Sequence, residues 1–174
     1  MLILYVDEML IAGHSKKDIA DLKTKLKSKF DMKDLGDANH ILGMRITRDH
    51  KRRLLYLSQK EYVHKVLDHF HMQKGKALST PLPAHSKLSK NDCPKSVEEK
   101  AAMAKIPYAL AYGSLMYAMV ATRPDIAHVV SVFNRFMSNL GKKHWDAIKL
   151  IFRYLSGTAD RQLCYGGGEL SIKA

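Results

Sequence analysis

Between Leu2 and Gly13 the chain reads Leu-Ile-Leu-Tyr-Val-Asp-Glu-Met-Leu-Ile-Ala-Gly, two short apolar β-forming runs with adjacent carboxylates, Asp7 and Glu8, set between them. Strand side chains alternate between faces, so neighbouring acids at a tight turn cannot both be buried. The pattern predicts an antiparallel hairpin whose tip presents Asp7 and Glu8 to solvent, where a divalent ion can reach them.

Beyond the hairpin the hydrophobic period changes. Ile19, Leu22, Leu26 and Phe30 recur at helical spacing, with six lysines from Lys16 to Lys29 on the remaining surface. An amphipathic helix over 14–30 follows, packed on the sheet, with Ser15 as N-cap and Asp18 in its first turn. Its lysines form either a solvated face or contacts to a phosphate backbone. Ile41–Ile46 and Leu54–Leu57 read as two strands joined by the basic segment Thr47–Arg53. Ser58 and Glu61 match a capping box, opening a helix with Tyr62, Val63, Val66, Leu67 and Phe70 on its apolar stripe.

Residues 77–105 hold three of the five prolines and little periodicity, which predicts a long loop or linker. Helical spacing resumes at Pro107, with Tyr108, Ala111, Leu115 and Met119 as one stripe and Met116 and Tyr117 as core material. Thr122-Arg123-Pro124-Asp125 reads as a helix start, followed by Ile126, Val129, Val130, Phe133 and Met137 on a buried face. A last helix over 143–156 turns Trp145, Ile148, Ile151, Phe152 and Leu155 inward, Gly157 stops it, and 162–165 form a short strand. Gly166-Gly167-Gly168 reads as a hinge. His64, His69 and His71 read as surface groups. No internal repeat, Walker loop, zinc-spaced Cys or His pair or nucleophile elbow occurs.

The net charge of +12 points to an anionic partner, and 46% apolar content supports a core. Cys93 and Cys164 form neither a metal motif nor a secreted disulfide scaffold, so a reducing compartment is expected. The apolar run at 1–6 is broken at once by Asp7 and Glu8, and no stretch reaches the ~18 uncharged residues of a membrane span, so no membrane partner is expected.

Tyr5-Val6-Asp7-Glu8 resembles the Tyr-x-Asp-Asp box of Ty1/copia-type retrotransposon reverse transcriptases, with Glu8 where the second Asp is expected. The resemblance continues in order through Asp34-Leu35-Gly36, Leu42-Gly43-Met44-Arg45-Ile46, Leu57-Ser58-Gln59-Lys60-Glu61-Tyr62 and Ser79-Thr80-Pro81. Ile106-Pro107-Tyr108, Gly113-Ser114-Leu115-Met116-Tyr117, Thr122-Arg123-Pro124-Asp125-Ile126, His144-Trp145 and Arg153-Tyr154-Leu155-Ser156-Gly157-Thr158 complete it.

The resemblance implies an α+β chain: a partial palm with β-hairpins and a helix, then an α-helical thumb or connection lobe. Residues 1–76 would be the C-terminal part of the palm with a primer-holding hairpin and the first thumb helix. A linker at 77–105, a helical lobe at 106–160 and a lead-in to a ribonuclease H domain at 161–174 would follow. Asp7 and Glu8 would be the catalytic, magnesium-binding pair of an RNA-directed DNA polymerase. Tyr5, Arg45, Arg48, Arg52, Arg53, Lys60, Lys65 and Arg123 would lie near an RNA/DNA template-primer. Lys51, Arg135, Lys142 and Lys143 would share that basic surface.

The family's centre also draws an Asp from an earlier strand, and this chain begins four residues before Tyr5. The expectation is an interior piece of a Pol polyprotein, working with its upstream palm, integrase and ribonuclease H, and inactive alone. Its place would be a cytoplasmic virus-like particle or the nucleus. Two further readings stand beside it: a nucleic-acid-binding remnant that needs no metal, and a protein-interaction or effector-like module derived from the retroelement. Against secretion, the sequence holds no Arg-x-Leu-Arg element.

Overall fold

The expected hairpin forms in the computed structural model, which describes residues 1–83, 86 and 88–166. Strands β1 (Leu2–Tyr5) and β2 (Glu8–Ile11) pair antiparallel from Leu2 opposite Ile11 to Tyr5 opposite Glu8, leaving Val6 and Asp7 as a two-residue turn. Helix α1 (Lys16–Lys27) follows, and the Asp18 amide donates to Ser15 Oγ at 3.2 Å, the N-cap expected from the sequence. Ile19, Leu22 and Leu26 are only half-buried, α1 buries no residue, and Phe30 is 60% exposed. The close packing expected of this helix on a sheet is absent.

A second sheet is antiparallel in the order β3 (His40–Ile41), β4 (Met44–Asp49), β5 (Leu54–Ser58) and β6 (Leu163–Gly166). The run read as one strand from Ile41 to Ile46 is split. Leu42 and Gly43 both have positive φ, 51° and 70°, and form the two-residue turn between β3 and β4. The basic loop is correspondingly shorter than expected, 50–53, because Thr47 to Asp49 continue β4. The expected final strand is β6. Gly166 has φ 100°, and a Cβ there would lie 2.1 Å from the carbonyl oxygen of Arg53, so only glycine closes the sheet at this point. Gly167 and Gly168, read with it as a hinge, lie outside the described residues.

The core lies among the helices. Helix α2 (Lys60–His69) buries Val63, Val66 and Leu67 against α4 (Tyr108–Ala121), α5 (Ala127–Asn134) and α6 (Lys142–Gly157). Phe70 stacks on Phe152 at 4.9 Å between centroids. Leu67, Leu115, Ile148 and Ile151 are fully buried, each contributing about 1.5–3 kcal/mol. Ser58 is not the N-cap residue of α2: it is the last residue of β5, paired with Arg45, and Gln59 takes the cap position without a side-chain cap bond, although Ser58 Oγ accepts from the Lys60 N–H at 3.3 Å. Glu61, the expected reciprocal partner, pairs instead with Arg45.

The described residues between 77 and 105 are not structureless. They contain a 3₁₀ turn (Lys90–Asp92) and α3 (Val97–Ala104), and Leu78, Leu82 and Leu88 pack against the core. Asp92 sits so close to Gly141 that a Cβ on the glycine would meet the Asp92 carbonyl oxygen at 1.9 Å. Among the described residues no helix is long and apolar enough to cross a membrane.

Candidate metal hairpin and nucleic-acid surface

The hairpin tip is strained. Val6 has φ 52°, a left-handed conformation that a β-branched residue rarely adopts and that costs on the order of 1–3 kcal/mol. In exchange the next residue, Asp7, stands exposed at the apex, while Tyr5 and Glu8 face each other across the first pair of the ladder. Tyr5, at the other end of that pair, is exposed.

Glu8 is not a free carboxylate. Its Oε2 accepts from the Leu42 backbone N–H at 3.1 Å, 34 residues away. The tip of the first hairpin thereby meets the Leu42–Gly43 turn of the second sheet. Tyr117 on α4 closes the other side of this turn, its hydroxyl donating to the Leu42 carbonyl oxygen. Tyr62 holds Tyr117 edge-on at 4.8 Å and donates its own hydroxyl to the Ser114 carbonyl at 3.3 Å.

Among the described residues no group of three or more His, Cys, Asp or Glu side chains converges on one point. Magnesium favours octahedral oxygen coordination with one or two carboxylates plus substrate phosphates. The donor set around Asp7 fits one side of such a centre, and these residues by themselves do not assemble a two-ion site.

The structure separates the basic residues expected near nucleic acid. Arg45 pairs with Glu61, and Arg48 donates to the Ala38 carbonyl at 2.6 Å. Lys60 pairs with Asp160, and Lys143 with Asp92 at 2.6 Å. Lys51, Arg52, Arg53 and Lys65 are exposed, Arg52 within 3.8 Å of Asp49. Arg52 and Arg53 lie beyond the far end of β4 from the Leu42 turn, about 17 Å along the strand. They therefore do not share one locus with Asp7.

Arg123 is a correction. It is 1% exposed, so it cannot reach a template-primer, and its guanidinium is fully engaged inside the helical lobe. Nε and Nη2 fork onto Asp125 at 2.9 and 2.8 Å, while Nη1 and Nη2 donate to the carbonyl and hydroxyl oxygens of Thr158 at 3.0 and 2.7 Å. The Tyr154 hydroxyl donates to Asp125 at 2.6 Å and receives a bond from Arg161 at 2.8 Å. Burial works to raise the Asp125 carboxyl, but the bonds from Arg123 and Tyr154 and the guanidinium charge outweigh it and hold it below the ordinary range. This cluster fastens the α4–α5 connection to the end of α6.

Sequence reasoning missed Leu42 and Tyr117 as site residues. The Leu-Gly dipeptide between two apolar runs is the turn signal that was available for the first. Nothing local marks Tyr117, whose partner is 75 residues away.

The fold and site define an α+β chain that sets an exposed Asp-Glu pair on a strained hairpin beside a left-handed turn. A family model for reverse transcriptase (RNA-dependent DNA polymerase) matches residues 1–84. A retrovirus-related Pol polyprotein from transposon TNT 1-94 of Nicotiana tabacum is 57% identical over 99% of this chain and 13% of its own length. An uncharacterised mitochondrial protein of Arabidopsis thaliana is 34% identical over 99% of this chain and 68% of its own length. The Pol polyprotein from transposon RE2 of the same plant is 29% identical over 99% of this chain and 11% of its own. No solved structure matches. The chain belongs to the reverse transcriptases of copia-type retrotransposon Pol polyproteins, and it spans about an eighth of the tobacco relative.

Proposed function

We propose that the chain is the part of an RNA-directed DNA polymerase that supplies one carboxylate side of the catalytic centre and a basic surface for an RNA/DNA template-primer. The observation that carries this reading is the meeting of the Asp7–Glu8 tip with the Leu42–Gly43 turn, which brings an exposed carboxylate and an exposed Tyr5 ring beside a braced backbone turn. In this reading β1, β2 and the four-stranded sheet belong to the palm side, and α2 and α4–α6 to the thumb or connection side.

When bound, magnesium would lower the pKa of a primer hydroxyl and neutralise the incoming triphosphate. The chain's own residues hold Asp7 at an apex, keep Tyr5 beside it and brace the turn next to it. Glu8 replaces the family's second Asp, and its extra methylene carries the carboxylate more than an ångström further out. A displacement of about 1 Å can cost on the order of 100-fold in rate. A further carboxylate from another strand completes the centre, so these 174 residues alone do not extend a primer, and the upstream palm, integrase and ribonuclease H of a Pol polyprotein are the partners. The cell compartment of that assembly is a cytoplasmic virus-like particle or the nucleus.

The test is a chimaera in which these residues replace the corresponding segment of the tobacco polyprotein, assayed by primer extension on an RNA template. The reading predicts slow extension that Asp7→Asn abolishes. Extension that survives the substitution, or none in the unsubstituted chimaera, contradicts it. A second reading, a nucleic-acid-binding remnant, is favoured by the net charge of +12, and in it the chain binds without any metal.

A further inference from the structure

We propose that Glu8 is a positioning residue: through Leu42 it tethers the Asp7 hairpin to helix α4. The proposal rests on the polymerase reading for its consequence, since what it positions is Asp7.

The Leu42 peptide groups carry the argument. In a two-residue hairpin turn the first residue's N–H lies outside the ladder and needs another partner. Here a carboxylate 34 residues upstream takes that N–H, and a phenol 75 residues downstream takes the carbonyl of the same residue. The hairpin is otherwise weakly attached. All four residues of β1 are exposed and β2 is at best half-buried, so no apolar core fixes the hairpin's orientation. Tyr117 is itself held by Tyr62, whose helix α2 buries three residues in the core. The order Glu8, Leu42, Tyr117, Tyr62 is therefore a continuous path from the hairpin tip to the helical core.

Side-chain length explains why glutamate serves here. The bond from the Leu42 nitrogen to Glu8 Oε2 spans 3.1 Å, already toward the long end of an N–H···O hydrogen bond. An aspartate on the same backbone, one methylene shorter, would draw its carboxylate more than an ångström back from a bond already 3.1 Å long, leaving that carboxylate for a metal ion and the turn untied. In this chain the second carboxylate of the box has exchanged ligation for attachment.

The experiment is water-exchange NMR of the Leu42 amide in the purified chain, with Glu8→Ala, Glu8→Gln and Tyr117→Phe, together with Mn²⁺ broadening at the Asp7 amide. Glu8→Ala is expected to speed exchange at Leu42 roughly three- to tenfold, allowing for solvent screening, while amides of α6 are unchanged. Glu8→Gln keeps an acceptor oxygen and restores protection to within about twofold of the original. Tyr117→Phe also speeds exchange, by releasing the carbonyl side.

Unchanged exchange at Leu42 in Glu8→Ala overturns the tether. So does loss of Mn²⁺ broadening in Glu8→Gln, which would make Glu8 a ligand. Absence of broadening in the unsubstituted chain counts against Asp7 as a metal ligand and leaves the tether to be judged by amide exchange, so the two failures are told apart.

Discussion

Replacing Arg123 by Met removes a guanidinium that makes four hydrogen bonds inside the helical lobe and leaves a partly buried Asp125 carboxylate with only Tyr154 and, at 3.5 Å, Arg161. Breaking one partner of a buried ion pair costs about 3–5 kcal/mol, mostly as the uncompensated charge left behind. Asp125 retains some access to water, so the lower end, about 3 kcal/mol, applies. For a chain of this size each kcal/mol moves the melting temperature by about 2–4 °C, so the substitution should lower it by roughly 6–12 °C. Arg123→Lys should recover only part of this, because an ammonium cannot fork onto Asp125 while also reaching both Thr158 oxygens. Thermal melts by circular dichroism read the loss. Measured below the melting transition, template-primer affinity and its salt slope should be unchanged. A melting temperature within 2 °C of the original, with affinity reduced and the salt slope lowered by about one, would refute the reasoning and return Arg123 to the nucleic-acid surface.

Acid should weaken the fold below about pH 4. The Lys143 bond and the Ser89 backbone N–H hold the Asp92 carboxyl down to about 2, and Asp125 is also depressed, so both contribute stability that is complete above 3.8 and lost as pH falls through the folded values. Urea midpoints that stay flat from pH 5 to 2.5 contradict this. Burial lowers His144, whose Nδ1 accepts from the Gly141 N–H at 3.1 Å, so folding excludes a proton that the unfolded chain binds, and stability falls as pH drops below 6.5. Its imidazole titration by NMR should have a midpoint under 6.5. Gly141→Ala drives a Cβ into the Asp92 carbonyl and should cost about 2–3 kcal/mol by urea denaturation, whereas a neutral result would show that the 3₁₀ turn is free to move.

The core helices α2, α4, α5 and α6 were legible because their buried faces obey the 3.6-residue period: Val63, Val66 and Leu67, or Ile148, Ile151 and Leu155, could be placed inward from spacing alone, whereas α3, which buries no residue, carries no such stripe. The first hairpin was legible for a similar reason, and Ser15 because its cap partner lies three residues away. What failed involved competition between neighbours or partners distant in sequence. Ser58 and Glu61 satisfy the capping pattern, yet strand pairing holds the serine one position before the cap, where its hydroxyl meets the Lys60 N–H, and Arg45 claims the glutamate. The family resemblance puts Arg123 beside the template-primer, and the local pattern gives no hint of Thr158, 35 residues on. The Leu42 turn was hidden inside an apolar run, so its bonds to Glu8 and Tyr117 emerge only in three dimensions.

Fluorescence polarisation of a labelled RNA–DNA primer-template, titrated with the purified chain across a salt series and then supplied with magnesium and nucleotides, tests the central claim most directly. The account predicts sequence-insensitive binding that weakens with salt at a log–log slope of roughly −3 to −5, and no extension by the chain alone. No binding at low salt would contradict the basic surface, and extension by these residues unaided would contradict the claim that their carboxylates form only one side of the centre.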